Sequence, residues 1–146
     1  MIRRLAPGDA ALAFAALREL RPTSPFMASL DTFQVFLEEA GRESYALVGS
    51  FEEGRSEAVA VAGYRVMTML YVGRLLYVDD LSTLPEFRGR GHAGALLHWL
   101  EAEASRLGAA ELHLDSGTGS ARFAAHRQYL KHGLNITAHH FSKELS

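Results

Sequence analysis

The chain contains no cysteine. Disulfide staples, thiolate nucleophiles and cysteine-held metals are therefore excluded. It also lacks any apolar run of the ~18 residues that a membrane helix requires. The first residues, Met1-Ile2-Arg3-Arg4-Leu5, carry charge with no long apolar stretch behind it, so no secretory leader is expected. An excess of one charge is missing as well. The formal net charge is −2, which gives no general attraction to nucleic acid, so any anion site must be local. A cytoplasmic protein with neither a membrane nor a nucleic-acid partner is the expectation. Proline is sparse, at four residues, and no linker, low-complexity tract or internal repeat interrupts the chain.

The composition that is present is ordinary for a globular protein, 48% hydrophobic and 22% charged over 146 residues. That length predicts one domain over residues 1–146, large enough to bury about two-thirds of its unfolded surface. Pro7-Gly8-Asp9 is turn chemistry, with Asp9 a candidate cap for a helix from Ala10 to Leu20. Arg21-Pro22-Thr23-Ser24-Pro25 ends that helix. Ser29 or Asp31 can cap a second helix, with Phe33, Phe36 and Leu37 as its apolar stripe and Gly41 as its stop. Runs at 45–51, 58–70 and 75–83 read as strands joined by short turns, hence an antiparallel meander. Residues 92–106 give the clearest helix, with Leu96, Leu97, Leu100 and Ala104 on one face and Gly108 at its end. A short strand at 111–115, a helix from Ser120 to Lys131 and a final strand pair or extended tail at 136–145 complete the order βααβββαβαββ. The fold class expected is α/β, in the mixed α+β sense. It has a single, mostly antiparallel sheet of six to seven strands with helices on both faces.

The most informative stretch joins the third long strand to its helix. It reads Asp79-Asp80-Leu81-Ser82-Thr83-Leu84-Pro85-Glu86-Phe87-Arg88-Gly89-Arg90-Gly91-His92-Ala93-Gly94. The amides of a first helical turn have no internal partner and sit at the positive end of the macrodipole. Glycines let that backbone approach a phosphate closely, and the two arginines add forked donors. Strand, basic glycine turn and helix start thus form a phosphate or pyrophosphate cradle. Gly89-x-Gly91-x-x-Gly94 matches the dinucleotide fingerprint literally, with Asp115 at a later strand end. Leu84-Pro85-Glu86-Phe87-Arg88 separates strand from glycine, however, and too little chain follows for a repeated βαβ array. No G-x-x-x-x-G-K-[ST] is present, so a P-loop is excluded.

Arg88-x-x-Gly91-x-Ala93 resembles the acyl-CoA pyrophosphate loop [RQ]-x-x-G-x-[GA] of the GNAT (Gcn5-related N-acetyltransferase) family. A second resemblance lies in Ala125-His126-Arg127-Gln128-Tyr129-Leu130-Lys131-His132-Gly133-Leu134, similar to that family's late helix A-x-x-x-Y-x-x-x-G-F. The element order agrees along nearly the whole chain. Leu134 stands where the family usually has Phe, and Arg122 where Asn is frequent.

This resemblance implies a strand bulge, with backbone groups of Leu81 and Thr83 pairing with the pantetheine arm of acetyl-CoA. It implies that the amides of Arg88, Gly89, Arg90, Gly91, His92, Ala93 and Gly94 hold the pyrophosphate, in a gap where the 75–83 and 111–115 strands splay apart. It implies that Tyr129 protonates the leaving thiolate, for which a phenol is suited because its pKa lies within about 2 units of a thiol's. Asp79 and Asp80 are the candidate bases, being charges in an otherwise apolar strand. Adjacent strand residues face opposite sides, so at most one of them reaches the cleft unless a bulge intervenes. Pro22-Thr23-Ser24-Pro25-Phe26-Met27 is the candidate lid over the acceptor.

No metal is expected. His139-His140 point to opposite faces of a strand, and His126 and His132 lack a completing carboxylate cluster. Asp115, Ser116 and His126 have the residue types of a hydrolase triad but no nucleophile elbow. Arg3-Arg4 and Glu52-Glu53 read as solvated surface charge. The function expected is an acetyl-CoA-dependent N-acetyltransferase acting on a small-molecule primary amine by direct attack. A protein N-acetyltransferase or a non-catalytic acyl-CoA sensor is the alternative, and a homodimer is left open.

Overall fold

The computed structural model describes all of residues 1–146. The chain divides into two compact units, Met1–Leu114 and Asp115–Ser146, and each is described by itself.

The first unit is built on five strands and three helices. These are β1 (Ile2–Leu5), α1 (Ala10–Leu20), α2 (Leu30–Gly41), β2 (Ala46–Ser50), β3 (Ala60–Met69), β4 (Gly73–Thr83), α3 (His92–Arg106) and β5 (Glu111–Leu114). The sheet order is β1-β2-β3-β4-β5. The first four strands form an antiparallel meander, and β5 returns parallel to β4 after α3. The parallel return follows from chain length, because a helix between two strands carries the chain back to the starting end.

Side chains alternate across this sheet. Leu47 and Val61 face α1 and α2, packed with Ala13, Leu17, Phe33 and Leu37. Val48, Ala60, Ala62, Leu76 and Val78 face the other way, onto Leu96, Leu100 and Ala104 of α3. Helices therefore cover both faces, and continuous apolar stretches such as residues 58–62 are buried on both sides. Leu96, Leu97 and Leu100 are fully buried, and each contributes about 2 kcal/mol of burial free energy.

The termini of these elements follow local chemistry. Ser29 caps α2: its Oγ accepts from the Thr32 amide at 3.1 Å, while Thr32 Oγ1 accepts from the Ser29 amide at 3.0 Å. Asp9 acts one step earlier than expected. Its carboxylate accepts from the Ala6 amide at 2.9 Å and leaves the first turn of α1 without a side-chain cap.

In the second unit a single-turn helix, Ser120–Arg122, leads into α4 (Phe123–Lys131). Ser120 thus starts the short turn instead of capping the long helix. Gly133 has φ +83°, and the Leu134 amide donates to the Tyr129 carbonyl at 3.0 Å, which closes the helix C-terminus. The strand pair expected at 136–145 is not formed, so the sheet has five strands instead of six to seven. A strand needs a ladder partner for its amides and carbonyls, and this unit contains no other strand to supply one.

Candidate active site

The site in the first unit is organised by β4. Its register against β3 shifts between Gly63 and Tyr64: Gly63 lies opposite Asp80, but Tyr64 lies opposite Val78. Asp79 is the extra residue of a β-bulge. Without the bulge, alternation would send Asp79 and Asp80 to opposite faces. With it, both line one cavity of about 250 Å³, together with Arg21, Ser24, Phe26, Met27, Phe36, Tyr45 and Arg65. Ser24, Phe26 and Met27 come from the segment expected to be a lid.

Gly63 is explained by the same geometry. A Cβ there would overlap the hydroxyl end of Tyr45, whose ring crosses the strand at this point. That hydroxyl donates to Asp80 Oδ2 at 2.8 Å, and Arg21 Nε donates to Asp80 Oδ1 at 3.0 Å. Arg65 Nε donates to Asp79 Oδ2 at 2.8 Å. The other oxygen, Asp79 Oδ1, is buried with no hydrogen-bond partner. Burial pushes the Asp79 carboxyl above its ordinary range, reinforced by the neighbouring Asp80 charge and opposed by Arg65. Burial likewise pushes Tyr45 well above the usual phenol value, with Asp80 adding to the effect. Tyr45 therefore stays protonated and serves as a donor. Tyr45, Arg65 and Arg21 went unread in the sequence, since none sits in a motif.

Beyond the bulge β4 loses a neighbour. Strand β5 pairs only with Leu75, Leu76, Tyr77 and Val78. From Asp79 to Thr83 the strand is paired to β3 alone, and no strand lies along its other edge. Leu81 and Thr83 lie on this open stretch, both partly buried. The unpaired edge offers main-chain donors and acceptors to an extended ligand.

The chain then turns through Pro85–Phe87, anchored by the buried Phe87 ring. Arg55 and Arg90 lie over that ring at 5.0 and 4.9 Å. Gly89 and Gly91 have φ +79° and +86°, the left-handed region that glycine adopts without strain. Gly91 is the N-cap of α3, and the first internal helix bond runs from the Ala95 amide to the Gly91 carbonyl at 3.0 Å. The amides of His92, Ala93 and Gly94 therefore stand in the unpaired first turn. A Cβ on either Gly89 or Gly91 would meet no atom within 4 Å, so the space in front of this turn is open.

Two side chains of the turn are already engaged. Arg90 pairs with Glu52 at 2.8 Å, and Glu52 also bonds His92 Nε2 at 2.8 Å. His92 Nδ1 meets Ser50 Oγ at 2.8 Å. These bonds, led by the one to His92, hold the Glu52 carboxyl below its ordinary value. Glu52 is thus part of the turn's framework and not the free surface charge the sequence reading assigned. Arg3 and Arg4 are exposed, as expected, although Arg4 also pairs with the buried Glu103 on α3 and the Arg3 guanidinium lies 4.8 Å over Phe51. Arg88 is more exposed, reaching the Thr83 carbonyl at 3.3 Å and Glu19 at 3.4 Å.

In the second unit Tyr129 sits partly buried on the last turn of α4. His126 Nε2 lies 3.0 Å from Ser116 Oγ and 2.7 Å from the Gly117 carbonyl. Asp115 instead faces His140, at 3.5 Å. The three residue types of a hydrolase triad are therefore split between two contacts, and the order needed for relay is missing.

Comparison with known proteins agrees with this arrangement. The sequence model of the acetyltransferase (GNAT) family matches residues 13–134. The chain belongs to that family of acetyltransferases. Among solved structures, it resembles a ribosomal-protein-alanine N-acetyltransferase from Brucella melitensis biovar Abortus 2308. That match has 17% identity and a TM-score of 0.82, with 99% of each chain covered. It also resembles glucosamine-6-phosphate N-acetyltransferase from Arabidopsis thaliana, with 18% identity and a TM-score of 0.78 over 100% of this chain and 98% of that one. An aminoglycoside N-acetyltransferase in complex with CoA matches with 17% identity and a TM-score of 0.81, over 99% of this chain and 93% of that one. No curated protein matches in sequence. At such identities the likeness establishes the mixed α/β fold. No helix is long and apolar enough to cross a membrane.

Proposed function

We propose that the protein transfers the acetyl group of acetyl-CoA to the primary amine of a small molecule by direct attack, with no covalent enzyme intermediate. The observation that carries this reading is the bulge. It brings two carboxylates into one cavity on the strand whose open edge runs on into the glycine turn.

The residues fit the co-substrate. The open edge at Leu81 and Thr83 suits an extended amide-bearing arm, and the first-turn amides with the space before Gly89 and Gly91 suit a pyrophosphate. When bound there, acetyl-CoA supplies an activated acyl group. The rest is done by the chain. Asp79, with a carboxyl raised by burial, accepts the ammonium proton directly or through water and leaves the amine neutral. Asp80 is held by Tyr45 and Arg21 and lends its charge to the same cavity. A backbone N–H beside the bulge polarises the thioester carbonyl. Tyr129 gives a proton to the departing thiolate and regains one, through water, from the nitrogen that has been acylated.

Residues 1–146 act as one domain in this reading, which the family match supports by running across both units. Its setting is the cytoplasm. No step calls on a metal, a nucleic acid or a membrane.

A thiol-release assay with a library of primary amines tests the proposal. Free CoA formed in proportion to acetylated amine supports it. Acetyl-CoA binding with no thiol release from any amine would instead identify a non-catalytic acyl-CoA sensor.

A further inference from the structure

The cavity at the bulge also constrains its occupant. We infer that the acceptor is a small amine carrying a single positive charge on an apolar or aromatic body, and that Arg21 and Arg65 exclude polycations. This rests on the acetyltransferase reading above and adds the substrate class.

Size comes first. At about 250 Å³ the cavity lies below the ~300–1,000 Å³ typical of drug-sized ligand sites. The cavity is half open to solvent, so this volume limits the amine-bearing end that enters it. The walls come second. Phe26 and Phe36 stand 5.4 Å apart between ring centroids, and Phe36 and Tyr45 stand 5.0 Å apart in an edge arrangement. With Met27 they form an apolar lining that offers a hydroxyl-rich substrate few partners.

Charge decides the remainder. Two carboxylates alone would invite a dication. Here each is already matched: Asp79 by Arg65 at 2.8 Å, and Asp80 by Arg21 at 3.0 Å. Only one buried acceptor is left without a donor, Asp79 Oδ1. With two carboxylates matched by two guanidiniums, the cavity holds no surplus negative charge for a second cation. A second cationic group would meet two guanidiniums and no free carboxylate, which is a repulsive element against polyamines and aminoglycosides. Arg65 is fixed further by lying 5.3 Å over the Tyr45 ring, so it is poorly placed to yield.

The test compares 2-phenylethylamine with spermidine and the aminoglycoside kanamycin on the full chain with saturating acetyl-CoA. The expected kcat/KM favours 2-phenylethylamine by at least about tenfold. In Arg21→Gln, which removes the guanidinium from Asp80 and leaves Tyr45 as its donor, that preference over spermidine should shrink by about tenfold, or roughly 1.4 kcal/mol. Equal or better turnover of spermidine or kanamycin by the unaltered protein overturns the inference, as does an unchanged ratio in Arg21→Gln. Calorimetric binding of the same amines to the CoA-loaded protein reads the preference without turnover. Selective 2-phenylethylamine binding with no thiol release would remove the catalytic reading and keep the acceptor class. Thiol release confined to polycations would do the reverse.

Discussion

The two halves of the site are built from different materials. The turn at residues 88–94 is made of backbone: two glycines at positive φ, a buried ring beneath, and unpaired amides aimed into open space. The cavity at Asp79 and Asp80 is made of side chains drawn from the end of α1, the approach to β2, β3 and β4, and locked by hydrogen bonds across the sequence. In the proposed function, the backbone cradle recognises what all CoA thioesters share and the side-chain cavity recognises what differs between acceptors. Strand β4 joins the two, and its bulge sets the boundary.

The two halves should therefore fail separately. The largest effect is expected from Gly91→Val. A β-branched side chain resists φ +86°, and it would stand where the pyrophosphate is proposed to bind, so CoA affinity should fall at least about 100-fold by calorimetry. The new Cβ meets no atom of the protein, so the fold should survive, with a modest fall in Tm. For Tyr129→Phe, kcat should drop about tenfold or more with CoA affinity retained, as measured by thiol release and titration. An unaltered rate would remove its role as acid.

Gly63→Ala reaches the cavity through its wall. The added methyl collides with Tyr45, and the repacking should cost about 1–3 kcal/mol in chemical denaturation while weakening turnover. Equal loss of CoA affinity would show that the two halves are not separable. Glu103→Gln is the smallest change and lies outside both halves. The buried carboxylate pairs with Arg4 and Arg106, and its loss should cost about 1–2 kcal/mol with kinetics intact. The bond from Arg106 holds its carboxyl below the ordinary value against the effect of burial. Its contribution is therefore present at neutral pH and lost as pH falls below the unfolded value near ~4.3. Asp79 has the opposite sign, because its carboxyl is raised by burial. Ionising it costs stability as pH rises through its folded value.

That asymmetry also explains what the sequence could disclose. The turn was legible because backbone conformation is written locally: Pro85, Gly89 and Gly91 specify it within a few residues. Helices α1 and α3 were legible for the same reason, through their periodicity and their stops at Pro22 and Gly108. The cavity was not. Tyr45 and Asp80, or Arg21 and Asp80, meet only after the sheet forms and α1 docks on it. The bulge left a faint trace in Gly63, which reads as an interruption until the Tyr45 ring above it is seen. The segment at 136–145 was open between a strand pair and an extended tail for a related reason, since residue types in one segment say nothing of a ladder partner. The likeness in the 125–134 helix identified the family, and Gly133 does end that helix in a left-handed turn.

The most direct test of the account is Asp79→Asn, with CoA affinity and acetyl transfer measured on the same preparation. The substitution keeps shape and removes the charge that burial disfavours, so the fold should hold, with Tm nearly unchanged. The account predicts a Kd for CoA within about twofold of the unaltered protein and a kcat lower by about 100-fold, within the range removed with a general base. The acidic limb of the pH–rate profile, set above an ordinary carboxylate value in the unaltered protein, should disappear. Full activity in Asp79→Asn, or loss of CoA binding in step with activity, would contradict it.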